Sequence, residues 1–398
     1  MAENDGKKKT NRFLEPPRLA LISDAPIESG DAGADDFDLG LRVGPIYDIL
    51  RHPLTGTPMA CAIYGSWGTG KTSAMRWLEG RLGEWNRDGK VGQGKKKIKV
   101  RTVRFHPWKY QKREDVWRGL IAEIILACLD RLPKSKAGLL KEAQDIAKLL
   151  GRSIADVFSG LTLEGGVAKF SLKGLQDIEK HAGEYLHPEA AYLNEFESVF
   201  KSWVERSLGK NERLVVFIDD LDRCMPEITL QVLEALKLYL DVPKLIFVIG
   251  VDDKVVNTLV TKHYKELGLE EEKAKDYLSK MFQVQVTLAQ SERQIDDFLN
   301  RIIKDNQAWG SDDKKTQEIL RGVIGRLAER SPREIKRLVN SSLMAGAGAR
   351  MSALEEEGKA PPTVEQGMQV FLVHWILDRR YTRGTLVGQK IGTEFFLK

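Results

Sequence analysis

The sequence predicts an α/β fold in which a parallel sheet carries helices on both faces, and three observations carry that expectation. Short apolar runs at Met59–Tyr64 and Leu245–Val251, and at residues 98–105 and 214–218, have the length and composition of buried strands. Stretches of helical periodicity separate them, the alternation expected of a doubly wound sheet. Residues with chemical function follow the strands directly: a glycine-rich loop follows the first run and an acid pair follows residue 218. In such sheets ligands sit beyond the carboxyl ends of the strands, so the loop and the acids should converge. A weaker strand is expected at residues 283–288.

The loop is Gly65-Ser66-Trp67-Gly68-Thr69-Gly70-Lys71-Thr72, which satisfies G-x-x-x-x-G-K-[ST]. Glycines at these positions let successive backbone N–H groups turn inward around a phosphate. Lys71 is then placed to reach the terminal phosphates, and the Thr72 hydroxyl to sit on Mg²⁺. Ser73 opens the helix expected over residues 73–82, whose amino-terminal end faces the same anion. The loop predicts a nucleoside triphosphate ligand.

The second half of the site is expected at Asp219 and Asp220, where the apolar run over residues 214–218 stops. Asp219 suits the shell of a Mg²⁺ ion, and Asp220 suits polarisation of the attacking water. Asp252, at the end of the run Leu245–Val251, suits a residue that senses the γ-phosphate or positions water. Arg223 has two readings: an arginine finger reaching a neighbouring subunit, or a loop contact with Asp222.

These residues resemble a known family. Asp219-Asp220-Leu221-Asp222-Arg223-Cys224 is similar to the signature that follows the second nucleotide motif of the KAP family of P-loop NTPases. The segment from Arg104 to Tyr110 resembles that family's F-x-x-W-x-Y stretch, and Tyr277 to Gln283 its Y-L-x-K-x-x-Q stretch. Ser331-Pro332-Arg333 opens a stretch similar to N-P-R-x-I-K-R-x-x-N, with Ser331 where Asn is usual. The resemblance covers roughly residues 20–345. It implies an ASCE-type ATPase related to the AAA+ and STAND groups, with ATP and Mg²⁺ as ligands. It also implies a C-terminal helical lid in which Arg333 contacts phosphate, and a role in bacterial anti-phage defence or a signalling complex. ATP in preference to GTP rests on the resemblance and on the lack of an Asn-Lys-x-Asp sequence.

Many relatives carry membrane helices between the two nucleotide motifs, but residues 133–192 contain no run of about 18 apolar residues, the length a spanning helix needs. The run over residues 154–172 is broken by Asp156, Glu164 and Lys169, and Gly165-Gly166 suggests a hairpin. The expectation is a cytoplasmic protein without a transmembrane segment. Cys61, Cys128 and Cys224 lack metal-ligand spacing and read as reduced packing residues.

Composition is ordinary, with 42% apolar and 30% charged residues. The net charge of +5 neither requires nor excludes nucleic acid. Lys7 to Lys9 reads as a solvated tail. The basic stretch of Lys95, Lys96, Lys97, Lys99, Arg101 and Arg104 reads as a charged approach to a strand. Trp108 and Tyr110 read as packing that strand's exit, with base stacking as the alternative.

The expected organisation is a flexible segment over residues 1–35, with a helix at 45–51 that has Pro45 in its first turn. A nucleotide-binding core over 36–113 and 210–290 is split by a helical insertion over 114–209. A helical lid follows over 291–354, then a linker and C-terminal helix over 355–398. The functional expectation is ATP hydrolysis that drives conformational or assembly change in a homo-oligomer with protein partners. The alternative is an ATP-binding switch or scaffold with negligible turnover.

Overall fold

In the computed structural model, residues 21–26, 37–88, 97–110, 113–130, 138–150, 162–164, 167–169, 190–239, 241–266, 280–305, 331–341 and 344 are described. The readings for Lys7 to Lys9, Lys95 and Lys96, the linker and the C-terminal helix lie outside these residues. The chain divides into two compact units, Pro26–Ala289 and Met1–Ala25 with Gln290–Lys398.

The larger unit is built on strands β1 (Met59–Tyr64), β2 (Lys99–Phe105), β5 (Glu212–Ile218), β6 (Leu245–Val251) and β7 (Val284–Thr287). Two short strands, β3 (Thr162–Glu164) and β4 (Val167–Lys169), pair antiparallel on their own. The main sheet runs β2-β5-β6-β1-β7 with every neighbouring pair parallel. Its register aligns the carboxyl ends: Phe105 lies opposite Ile218, Ile218 opposite Ile249, and Tyr64 opposite Val251. The loops leaving β1, β2, β5 and β6 therefore emerge at one edge.

Strand periodicity sends alternate residues to opposite faces. Val215, Phe217, Ile246, Val248, Cys61 and Ile63 are buried with α1 (Leu39–Arg51) and α2 (Lys71–Arg87). Leu214, Val216, Ile218, Phe247 and Ile249 are buried with α3 (Arg113–Leu129), α4 (Gly138–Leu150) and α5 (Ala190–Ser207). The same layer holds α6 (Pro226–Tyr239) and α7 (Asp253–Glu266). Because both sides are covered, β6 is buried along its whole length, as its unbroken apolar run demands.

Between β2 and β5, α3 lies in the sheet's own cover through Val116, Leu120, Ile121, Ile124 and Ile125. Trp203 of α5 is buried and donates its indole N–H to the Leu139 carbonyl at 3.0 Å, which ties α5 to α4. Among the described residues no helix is long and apolar enough to cross a membrane.

Helix α1 begins at Leu39, so Pro45 lies inside it and not in a first turn. Buried Leu39, Val43, Ile46 and Leu50 recur at helical spacing, and this continuous stripe carries the helix through the proline. Tyr110 packs the exit of β2, stacked on Phe105 at 5.4 Å between ring centroids. Trp108 departs from the expectation: it is 53% exposed. Its residue forms a short 3₁₀ turn after Pro107, which carries the side chain past the end of the sheet.

The described residues of the basic stretch, most of them within β2 itself, are engaged. Lys99 and Arg101 pair with Glu212, and Arg104 pairs with Glu79. The three cysteines are free thiols, and burial pushes Cys61 up to about 12, Cys128 to about 11 and Cys224 to about 12. At neutral pH they are protonated packing groups.

In the smaller unit, α8 (Glu292–Asp305) buries Ile295, Phe298, Leu299 and Ile302 on one stripe. Ser291 and Gln294 cap it reciprocally: Gln294 N donates to Ser291 Oγ at 3.3 Å, and Ser291 N donates to Gln294 Oε1 at 3.1 Å. A helix over residues 332–341 starts at Pro332, and Ser331 O accepts from Ile335 N at 3.0 Å. Asn340 exchanges two hydrogen bonds with the Ile22 backbone, each 2.8 Å, and Lys336 Nζ donates to the Ser23 carbonyl at 3.0 Å, which ties Ile22 and Ser23 to that helix.

Candidate nucleotide site

The loop between β1 and α2 is shaped by its glycines. Gly68 and Gly70 have φ of 85° and 99°, where a side chain would be strained. Gly65 is required for a different reason, since a Cβ there would lie 2.4 Å from Thr69 Oγ1. That hydroxyl is fixed by donating to the Ser66 carbonyl at 2.8 Å. Gly70 then accepts from Ala74 N at 2.9 Å, opening α2 with Lys71 as its first residue. Trp67, at the outer bend of the loop, is 67% exposed, and the Arg223 guanidinium lies 5.8 Å from its ring centre.

Lys71 turns back under the loop. Its side chain is 8% exposed, and Nζ donates to the carbonyls of Gly65 at 2.8 Å and Ser66 at 3.2 Å. It donates to Asp222 Oδ2 at 2.9 Å as well.

Asp219 leaves β5 almost fully buried. Its backbone N donates to the Phe105 carbonyl, and its Oδ1 accepts from Asp220 N at 3.0 Å. Its Oδ2 is buried without a hydrogen-bond partner among the described residues. Asp220 adopts a left-handed conformation, φ 60° and ψ 27°, which aspartate tolerates better than most residues. This turn aims its carboxylate at Arg223 Nε, 2.8 Å away, and at His106 Nδ1, 3.9 Å away. Burial, and then the neighbouring Asp219, raise the Asp220 carboxyl above its ordinary value. Burial lowers the His106 imidazole, against the pull of Asp219.

Ligand atoms of His106, Asp219 and Asp220 lie within 4.8 Å of one another. The orphaned Asp219 oxygen is the clearest opening for a cation, because an unsatisfied buried carboxylate oxygen is costly without one. Lys71 and Asp219 meet at Gly250 of β6. A Cβ built there would lie 3.5 Å from Lys71 Cβ and 3.6 Å from Asp219 Oδ1, and would strike Met75 Cε at 2.7 Å.

Lys71, Asp219 and Asp220 thus come together at one edge of one sheet. Asp252 follows β6 at the same edge and caps α7, with Oδ1 accepting from Lys254 N at 3.1 Å. Arg333 belongs to the other unit, where its Nε pairs with Asp24 Oδ2 at 3.0 Å. The contact weighed between Arg223 and Asp222 is replaced: Arg223 pairs with Asp220, and Asp222 with Lys71. The sequence reading gave His106 no role and Asp222 only a contact with Arg223. Each stood inside a segment read for other residues, although His106 sits one position past the end of β2.

A five-stranded parallel sheet with this glycine loop after β1 and these acids after β5 defines a P-loop NTPase fold. The family model for the KAP family P-loop domain matches residues 44–345, and the chain belongs to that family. Among solved structures it is similar to the ORC1 protein of Aeropyrum pernix in complex with DNA, at 11% identity and a TM-score of 0.38, covering 91% of this chain and 70% of that one. It is similar to the Drosophila ORC bound to DNA at 12% identity and a TM-score of 0.38, over 89% of this chain and 68% of that one. A Walker-type ATPase of Pyrococcus abyssi matches at 14% identity and a TM-score of 0.37, over 90% and 80%. No curated protein sequence matches the chain.

Proposed function

We propose that this protein is a Mg²⁺-dependent ATPase that couples hydrolysis to conformational or assembly change. The observation that carries the reading is the meeting of Lys71 with Asp219 and Asp220 at the aligned carboxyl ends of β1 and β5. The backbone N–H groups of residues 65–73 cradle the phosphates, and Lys71 neutralises their terminal charge. Asp219, through its unpartnered oxygen, and the Thr72 hydroxyl hold the cation. Mg²⁺, when bound, neutralises charge on the β- and γ-phosphate oxygens. Asp220 orients the attacking water, and its raised carboxyl suits it to share a proton. His106 Nδ1 lies 3.9 Å from Asp220, beyond hydrogen-bond reach, and is buried without a hydrogen-bond partner among the described residues, so it is a further candidate to hold the cation.

Asp252 ends β6 beside the acid-bearing strand and is assigned to the γ-phosphate end of the site. Arg333 is assigned to a phosphate contact, for which it exchanges Asp24 for the ligand. Arg223 acts across a subunit boundary only by giving up Asp220. We place the protein in the cytoplasm, as a homo-oligomer with protein partners in a bacterial anti-phage defence or signalling complex. Supporting this is the match to the KAP family P-loop domain.

The test is phosphate release from ATP with Mg²⁺ by wild type, Lys71→Ala and Asp220→Asn. Release that both substitutions abolish supports the enzyme. Tight ATP binding without release from any form supports the switch reading in its place.

A further inference from the structure

Lys71 has three N–H donors, and all three are used. Two go to the carbonyls of Gly65 and Ser66 within its own loop, and the third goes to the Asp222 carboxylate at 2.9 Å. The side chains of Lys71 and Asp222 are 8% and 10% exposed, so water and salt screen this pair little. Asp222 is held in place independently of Lys71. It lies in a short 3₁₀ turn, Leu221–Arg223, anchored by the fully buried Leu221 side chain. The Leu221 carbonyl accepts from the Thr229 hydroxyl at 3.1 Å. A terminal phosphate that engages Lys71 must therefore take the place of an existing acceptor. The carbonyls belong to the loop that cradles the phosphate, and Asp222 belongs to another loop, so the exchange falls on Asp222.

We propose that Asp222 sets the nucleotide affinity of this site and couples it to the divalent cation. It competes with the terminal phosphate for Lys71. Once displaced, it leaves a third carboxylate beside Asp219 and Asp220 that only a cation compensates. The proposal rests on the nucleotide-site reading above. It makes Asp222 a positioning residue that acts through Lys71 and need not touch the reacting atoms. Two consequences separate it from a merely structural role. Removing the Asp222 charge strengthens ATP binding in the absence of metal, whereas damage to the loop weakens it. Removing that charge also shrinks the gain in ATP affinity that Mg²⁺ brings, because binding couplings are reciprocal.

The experiment is calorimetric titration of the full-length chain with ATP, in EDTA and in Mg²⁺, for wild type, Asp222→Asn and Asp222→Ser. Thermal melting checks that each variant is folded, and either folded variant suffices. The expected result is ATP affinity in EDTA about tenfold or more above wild type, with a smaller Mg²⁺ enhancement. AMP, which has no phosphate at the Lys71 position, should show no gain. Unchanged or weaker ATP affinity in EDTA, in a folded variant, overturns the proposal. ATP binding by neither wild type nor variants, in either condition, defeats the nucleotide-site reading itself and this proposal with it.

Discussion

The two ends of one sheet hold charged residues in opposite ways. At the amino-terminal end, Glu212 lies opposite Lys99 in the register and takes Gly209 N at 2.8 Å, Arg101 at 3.1 Å and Lys99 at 3.2 Å. Burial alone would raise its carboxyl, but these donors together bring it below the ordinary value. At the carboxyl end, Asp219, Asp220 and Asp222 face Lys71, Arg223 and His106, and one Asp219 oxygen stays unsatisfied. Glu212 is surrounded by donors, and a carboxylate so paired stabilises a fold, although Nη1 of the adjacent Arg213 is buried without a hydrogen-bond partner among the described residues. A cluster left partly unfilled costs stability and is ready for a ligand. Under the proposed function, the amino-terminal end is structural and the carboxyl end carries the chemistry.

The strongest way to break that contrast is Asp219→Asn. It should lower phosphate release by about 100-fold or more and raise the Mg²⁺ concentration needed for half-maximal rate. The melting temperature should hold or rise, since an uncompensated buried charge is removed. A lower melting temperature with an unchanged metal requirement would make Asp219 structural.

Gly119→Ala probes packing beneath the same edge, because a Cβ there would lie 2.3 Å from the Tyr110 ring that stacks on Phe105. Displacing that ring should cost about 1–3 kcal/mol, partly offset by alanine's better helix propensity of about 1 kcal/mol. Denaturant unfolding measures the net loss, and no loss would mean that Tyr110 moves freely.

Glu212→Gln should cost about 1–2 kcal/mol near neutral pH. The Glu212 carboxyl titrates lower in the folded chain than in the unfolded one. Its stabilisation is therefore present above the unfolded value and fades as pH falls through the folded value. The gap between wild type and variant should narrow on acidification; a gap independent of pH would refute the charge-based account.

Trp67→Ala, which removes the exposed ring near Arg223, should change stability by no more than about 1 kcal/mol. Unfolding measurements on the variant check it.

Much of this fold was legible because its strands are bounded by residues that cannot continue them. Met59–Tyr64 and Leu245–Val251 were read at both ends, since apolar runs give way there to a glycine and an acid. Strand β5 extends two residues further back, through Glu212 and Arg213. Those charges hid it: Lys99, Arg101 and Gly209 N meet Glu212, and Arg213 donates to the His52 carbonyl at 3.1 Å. The start of α1 was missed because Pro45 is a local signal for a first turn, whereas the stripe from Leu39 to Leu50 is a longer-range one. At the site, motif spacing singled out Lys71, Asp219 and Asp220, and these three come together at one edge of the sheet. Asp222 and His106 were not singled out, since their roles come from partners 151 residues away in one case and across two aligned strands in the other.

The contrast is tested most directly by single-turnover ATP hydrolysis in Asp220→Asn and Glu212→Gln, measured beside wild type and per folded molecule. The account predicts that Asp220→Asn slows the step by about 10²–10⁴-fold with its melting temperature preserved. Glu212→Gln should hydrolyse at the wild-type rate despite a lower melting temperature. Equal losses in the two variants, or an undiminished rate in Asp220→Asn, would contradict the assignment of chemistry to the carboxyl end of the sheet.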